Sequence, residues 1–230
     1  MVITMKAINS TIKRAEFITH HQLDKIISDE TLKNTKLIHI KAKEYLIFQD
    51  SQISHLYFLV NGKLQIERYE TNGCKVIFSF ENTFSIIGDL ELFQSNLEND
   101  RIYNTIQAVT DADLLALPLS MIRKKEIYSP LFLQFICQHL SKKLYNTSQL
   151  HSSASYSVEY KLRRYLTFAE KQNGESFQLE KRDSLAAMLG VSVRQLNRTL
   201  SKLVSDKLIE KKGKKIKILD TSQLLISCRK

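Results

Sequence analysis

The sequence predicts an α+β chain in two parts: an antiparallel β-roll that runs into a long helix, then a smaller helical unit closed by a hairpin. Three observations carry this expectation. From about Lys36 to Pro118 short apolar runs recur with a period near two, bounded by turn residues. After Pro130 apolar residues recur at alternating four- and three-residue intervals, as on one stripe of a helix. From Lys181 to Leu219 the pattern is two short helices joined at Gly190-Val191-Ser192, with a lysine-studded hairpin behind them. At 230 residues the chain can bury two modest cores. The expected divisions are 1–118 for the roll with its N-terminal helices, 119–153 for connecting and pairing helices, and 154–230 for the last unit.

In the first part, YLIF (Tyr45–Phe48), LYFLV (Leu56–Val60), KLQIERY (Lys63–Tyr69), KVIFSF (Lys75–Phe80) and LLALP (Leu114–Pro118) read as strands. Asn61-Gly62 and Asn72-Gly73 fall between successive runs, and Asn-Gly is the strongest short hairpin signal because both residues tolerate positive φ. Of the six glycines, Gly62, Gly73, Gly88, Gly190 and Gly213 fall where a turn is independently expected, which supports the divisions between runs. A barrel or sandwich of this size either encloses a small ligand or is filled by its own side chains. Asp111 and Asp113 flank Ala112 in an apparent turn and read as solvated.

A short helix near Met121–Ile127 should follow. Ser129 can then cap, and Pro130 can open, a helix that runs to about His151. Leu133, Cys137, Leu140, Leu144, Thr147 and His151 mark its seam, while Phe132, Phe135 and Ile136 can pack on the roll. Periodicity weighs two partners for the seam equally, a second copy of the chain or another part of the same chain. His151 to Ser157 forms a polar hinge, and a helix over Val158–Gln172 turns Leu162, Tyr165, Leu166 and Ala169 toward a second core.

In KRDSLAAMLGVSVRQLNRTLSKLV, Leu185, Ala186, Met188 and Leu189 line one helix face, and Val193, Leu196, Leu200, Leu203 and Val204 line the next. Gly190 can take the positive φ of a sharp helix exit, and Ser192 can cap the second helix. Ala186 and Ala187 are small enough for the helices to approach closely. Arg194, Gln195, Asn197 and Arg198 then point outward near the start of the second helix, where helical side chains read base edges in a major groove. Lys181 and Arg182, at the start of the first helix, and Ser192 are placed for phosphates. In EKKGKKIKIL, Lys212, Lys214 and Lys215 surround Gly213 on a hairpin that can touch a sugar-phosphate backbone.

Charge follows the same division. From His151 to Lys230 there are 17 basic and 8 acidic residues, so this part carries a net +9 of the chain's +10. A concentrated basic face is what polyanion binding by counterion release requires. The main expectation is therefore a sequence-specific reader of double-stranded DNA. The alternative is a ligand-binding regulatory module that docks through a basic tail on protein or RNA. No apolar run approaches the roughly 20 residues that span a bilayer, and the N-terminus lacks a secretory pattern, so a cytoplasmic protein without membrane contact is expected. Cys74, Cys137 and Cys228 are odd in number and widely spaced, which suggests neither a disulfide framework nor a metal site; a redox role for one of them stays open. With no phosphate-binding glycine loop, nucleophile elbow or metal-spaced histidine pair, an enzyme is not expected. His139 reads as a packing histidine and not as a haem ligand.

The order of β-roll, long pairing helix and winged helix-turn-helix resembles the CRP/FNR superfamily of bacterial transcription regulators over about residues 20–220. LYFLVNGKLQIERYETNGCKVIFSF, SIIGDLELF and LAAMLGVSVRQLNRTLSKLVSDKLIEKKGKKIKIL carry the match. The run DLLALPLS followed by FLQFICQHLSKKLYN resembles the YeiL-like subgroup. The resemblance implies a homodimer on a partly palindromic operator, contact with RNA polymerase, and an effector sensed in a cyclic-nucleotide-binding-like roll. It places the effector pocket at Gly88, Asp89, Leu90, Arg101 and Tyr103.

Cyclic-AMP-binding members hold the phosphate with a glycine-glutamate pair and, a strand later, an arginine-serine pair. Gly88-Asp89 answers the first, but Ile102 and Tyr103 stand in place of the second. A buried phosphodiester without a guanidinium is poorly compensated, so cyclic AMP is doubtful and no cofactor is expected. The oxygen sensors' N-terminal cysteine cluster is missing, since no cysteine precedes Cys74. Where many relatives read a half-site with a glutamate and, four residues later, an arginine, this chain has Arg194 and Arg198. Arg198 keeps a guanine contact, whereas Arg194 exchanges an acceptor for a donor and predicts a changed half-site.

Overall fold

Period-two alternation builds two antiparallel sheets in the first part of the chain. The computed structural model describes residues 6–8, 10–71, 75–93, 101–151 and 156–226, in two units, Met1–Leu144 and Tyr145–Lys230. The first unit contains β1 (Lys6–Ala7), α1 (Thr11–His20), α2 (Asp29–Lys33), β2 (Lys36–Ile40), β3 (Tyr45–Ile47), β4 (His55–Asn61), β5 (Leu64–Tyr69), β6 (Lys75–Glu81), β7 (Ile86–Ile87), α3 (Asp89–Leu92), β8 (Thr105–Ala108), β9 (Ala112–Pro118) and α4 (Leu119–Lys124). The long helix α5 (Pro130–His151) begins in this unit. One sheet runs β1-β2-β9-β4-β7 and the other β3-β8-β5-β6.

The sheets face each other across a core that includes Leu46, Phe58, Leu59, Leu64, Leu114 and Leu115, all fully buried. Helix α5 adds Phe132 and Ile136, both 0% exposed, with Phe135 packed beside them. Each such side chain contributes about 1.5–3 kcal/mol by leaving water. Ser129 caps this helix as expected, its hydroxyl accepting the Phe132 N–H at 3.4 Å.

Every strand expected from the sequence is present, and the α+β class holds. Two local expectations are corrected. Asn61-Gly62 does not join a hairpin, because β4 pairs with β9 and β7 while β5 pairs with β6 and β8. The chain instead crosses there from one sheet to the other. Gly62 sits at φ +96°, and a Cβ on it would lie 2.3 Å from the Asp111 carbonyl oxygen, so close backbone approach explains the glycine. Asn72-Gly73 lies outside the described residues, although the strands flanking it, β5 and β6, do pair. Asp113 is in β9, not in a turn, and its carboxylate meets His39 Nδ1 at 2.7 Å; Asp111 accepts the Ala42 N–H at 2.8 Å. Asp111 is exposed and precedes the strand, as expected, so only the reading of Asp113 changes.

The second unit contains α6 (Val158–Asn173), β10 (Ser176–Gln178), α7 (Arg182–Leu189), α8 (Val193–Ser205), β11 (Ile209–Lys212), β12 (Lys215–Ile218) and α9 (Thr221–Ile226). Ser157 caps α6 by accepting the Tyr160 N–H. Leu162, Leu166, Leu185, Leu196, Leu203 and Ile216 are fully buried and form this unit's own core. Its sheet has the order β10-β12-β11, so the expected hairpin carries a third strand. Val204 is 38% exposed and Val193 only half-buried, which narrows the inner face of α8 to Leu196, Leu200 and Leu203. The expected polar hinge lies largely in 152–155, outside the described residues.

Candidate nucleic-acid interface and effector pocket

The corner between α7 and α8 is built by backbone chemistry. Gly190 ends α7 in the left-handed region at φ +63°, with its N–H on the carbonyls of Ala186 and Ala187, and Val191 N–H returns to the Ala186 carbonyl at 3.0 Å. Two residues on, Ser192 opens α8 with a full capping box. Its hydroxyl accepts the Gln195 N–H at 3.2 Å, and Gln195 Oε1 accepts the Ser192 N–H at 2.9 Å. The same oxygen also accepts the Ser192 hydroxyl at 3.0 Å.

Burial of Leu196, Leu200 and Leu203 turns Arg194, Gln195, Asn197 and Arg198 outward, and all four are exposed. The box refines one expectation. Bidentate recognition of adenine needs both the oxygen and the nitrogen of a side-chain amide. Gln195 spends its oxygen on the helix terminus, leaving only Nε2 to face outward.

The remaining basic residues divide by environment. Lys181, Lys212, Lys214 and Lys215 are exposed, the last three around Gly213 on the β11–β12 hairpin. Arg182 is half-buried, its Nη1 is enclosed without a hydrogen-bond partner, and desolvation holds its guanidinium below its ordinary value. Arg182 therefore does not share the open setting of Lys181. Glu159 on α6 ties down the far end of α8, accepting Lys202 Nζ at 2.6 Å and Arg163 Nη2 at 2.7 Å. These bonds, the one from Lys202 foremost, hold its carboxyl below the usual range.

In the first unit, Gly88 adopts φ +94°, and a Cβ there would come within 2.6 Å of Ile53 Cδ1. Asp89 follows, 1% exposed, and receives Lys143 Nζ from α5 on both oxygens at 2.9 Å; the same ammonium donates to the Ile86 carbonyl at 2.7 Å. The expected pocket residues differ in their settings. Leu90 and Tyr103 are each 51% exposed, and exposed Arg101 donates from Nη1 to the Asp50 carbonyl at 2.8 Å. Tyr103 contributes its backbone N–H, which Glu91 Oε1 accepts at 3.0 Å. Sequence reasoning passed over Glu91 and Lys143. The only signal was charge inside apolar surroundings, at GDLEL and beside the seam of α5.

Along that seam Leu133 and Leu140 are half-buried, Leu140 against the roll core, while Cys137 is exposed and Leu144 is 69% exposed. His139 sits edge-on to Phe84 at 6.2 Å between ring centroids, and burial pushes its imidazole below the ordinary value. Cys74 and Cys228 lie outside the described residues. Among the described residues no helix is long and apolar enough to cross a membrane.

Two family patterns match the chain, the cyclic nucleotide-binding domain over residues 37–125 and the Crp-like helix-turn-helix domain over residues 160–225. The chain belongs to the CRP/FNR superfamily of transcription regulators. Its sequence is 29% identical over 192 residues to the regulatory protein YeiL of Escherichia coli O157:H7, covering 83% of this chain and 84% of that one. Identity to the probable transcriptional regulator flp of Lacticaseibacillus casei is 24% over 185 residues, 79% and 83% of the two chains. FixK2 from Bradyrhizobium japonicum shares the fold at a TM-score of 0.72 and 14% identity, over 83% of this chain and 95% of that one. The order of roll, long helix and helix-turn-helix expected from the sequence is the CRP/FNR order.

Proposed function

We propose that this CRP/FNR regulator acts as a homodimer that reads a partly palindromic DNA operator. In this reading α8 enters the major groove with Arg194, Asn197 and Arg198 as base contacts and Gln195 as a single donor. Lys181, Ser192, Lys212, Lys214 and Lys215 hold the phosphates. The observation that carries it is the outward face of α8: four exposed polar side chains, none of them acidic, on a helix whose opposite face is locked into a core. A donor-rich face favours acceptor-bearing base edges, so the preferred half-site should carry guanine or thymine where glutamate-bearing relatives read cytosine.

Pairing runs along α5 through Leu133, Cys137, Leu140 and Leu144, because Leu144 and Cys137 lie open to a second copy. Two reading helices then match half-sites one helical turn apart. RNA polymerase is the downstream partner that the family implies, the compartment is the cytoplasm, and no catalysis is involved.

Selection from random duplexes, followed by gel shifts at physiological salt, tests the reading; a protein with no sequence preference would refute it. Titration of matched double-stranded RNA in parallel separates it from basic docking on RNA. The dimer is tested by mild oxidation of a variant lacking Cys74 and Cys228. Parallel pairing sets Cys137 against its counterpart and should yield a covalent dimer, whereas a purely monomeric product would exclude this seam.

A further inference from the structure

The segment that follows Gly88 buries two carboxylates, Asp89 at 1% and Glu91 at 3% exposure. Buried charge is costly unless it is paired or hydrogen-bonded. Asp89 is met by Lys143, which spends all three N–H groups on Ile86 and Asp89. Glu91 is met differently, by the Tyr103 N–H at 3.0 Å, while its own carbonyl accepts Arg123 Nη2 at 3.0 Å. Burial pushes the Glu91 carboxyl above its ordinary value, against the lowering effect of the Tyr103 N–H.

The neighbouring backbone is engaged as well. Ile102 N–H goes to the Ser51 carbonyl at 3.0 Å, Ile102 oxygen accepts the Asp50 N–H at 2.8 Å, and Arg101 Nη1 holds the Asp50 carbonyl at 2.8 Å. Ile102 itself is 2% exposed. An anion arriving at residues 101–103 would have to displace a carboxylate already seated on the Tyr103 amide.

We propose that Glu91 is the resident anion of the roll: its carboxylate fills the subsite a phosphate would take, which closes the roll to cyclic nucleotides and leaves DNA binding independent of them. The inference rests on reading the roll as the regulatory half of a DNA-binding protein. Its test uses the full chain and two variants. Glu91→Gly removes the occupant and frees the Tyr103 N–H; Glu91→Gln keeps an oxygen acceptor in place without the charge. Each is titrated calorimetrically with cyclic AMP and with inorganic phosphate, and each is assayed for affinity to its selected duplex with and without millimolar cyclic AMP.

The native chain and Glu91→Gln should give no saturable heat, and duplex affinity should change by less than about twofold with cyclic AMP. Glu91→Gly should acquire saturable binding of one or both anions. Two results would overturn the proposal: a native chain that binds cyclic AMP as tightly as Glu91→Gly, or a Glu91→Gly protein that melts cooperatively yet stays silent toward both anions. If Glu91→Gly does not fold, Glu91→Ala takes its place with the same expectations. Because duplex affinity is read separately, loss of DNA binding with the expected anion behaviour would count against the regulator reading alone.

Discussion

Gln195 separates two roles that the sequence merges, and replacing it measures each. Its side-chain oxygen accepts both the Ser192 N–H and the Ser192 hydroxyl, while its N–H donates to the same serine. Gln195→Met removes the bond that satisfies the Ser192 N–H, and Ser192→Ala removes the one that satisfies the Gln195 N–H. Loss of an N-cap partner of this kind costs about 1 kcal/mol, within a range of roughly 0.5–2. In a domain of about 60–100 residues that is a drop of ~4–8 °C in the unfolding midpoint. The two losses belong to one box, so the double variant should fall short of their sum. Gln195→Glu keeps the acceptor and adds a negative charge at a helix N-terminus, which contributes a further ~0.3–1 kcal/mol; its midpoint should hold or rise. On DNA, Gln195→Met should lose only the single Nε2 bond, about 0.5–1.5 kcal/mol, without changing base preference. Thermal melts followed by circular dichroism, and binding to a panel of single-substituted operators, read the two roles. A Gln195→Met protein with an unchanged midpoint and lost preference for adenine at one position would show that the amide reads bases with both atoms and that the box is not its working state.

Arg198→Ala should weaken specific binding by about 1–3 kcal/mol and relax one base position, whereas Lys212→Ala should weaken all duplexes alike and reduce the salt slope by about 1; an altered site preference in Lys212→Ala would contradict the wing assignment. Glu159 gives a pH dependence of fixed sign. Its carboxyl titrates below the ordinary value of 4.5 when folded, so the stability it contributes is present above that pH and is lost as pH falls through the lowered folded value. Its carboxylate is 24% exposed, which keeps the effect under about 1 kcal/mol; below pH 4.5 the native chain should lose melting temperature faster than Glu159→Gln, and parallel curves would refute it. Phe132→Ala, in a fully buried site, should cost ~3–5 kcal/mol in urea unfolding, and a loss below about 1 kcal/mol would mean that α5 does not anchor the roll.

How far the sequence discloses this architecture depends on how local each determinant is. The helix-turn-helix was legible residue by residue, because Gly190, Ser192 and the leucine spacing act within one or two turns of chain. The long strands β4, β5 and β9 were legible for the same reason. Strands β7, β8 and β10, with two, four and three residues, carry too little alternation to register, and β10 exists because Phe177 pairs with Ile216 far along the chain. Asn61-Gly62 misled because the same dipeptide that suits a two-residue turn also suits a crossing between sheets, and only the pairing of the flanking strands distinguishes them. The pocket was least legible. Asp89 was found by position, but its cation stands 54 residues away on α5 and the partner of Glu91 is a backbone amide 12 residues on, which no side-chain pattern reveals.

The crossing at Gly62 also predisposes the chain to an unusual pattern of tolerance. Ala112, which a new methyl group at Gly62 would strike, begins β9, and β9 lies between β2 and β4 in the middle of its sheet. A half-exposed residue at the rim is thus wedged against the first rung of a central ladder. In a saturation library it should behave like an interior position, refusing even alanine, while the hairpin glycine at 213, with open space around it, refuses other residues only for the angle it must hold.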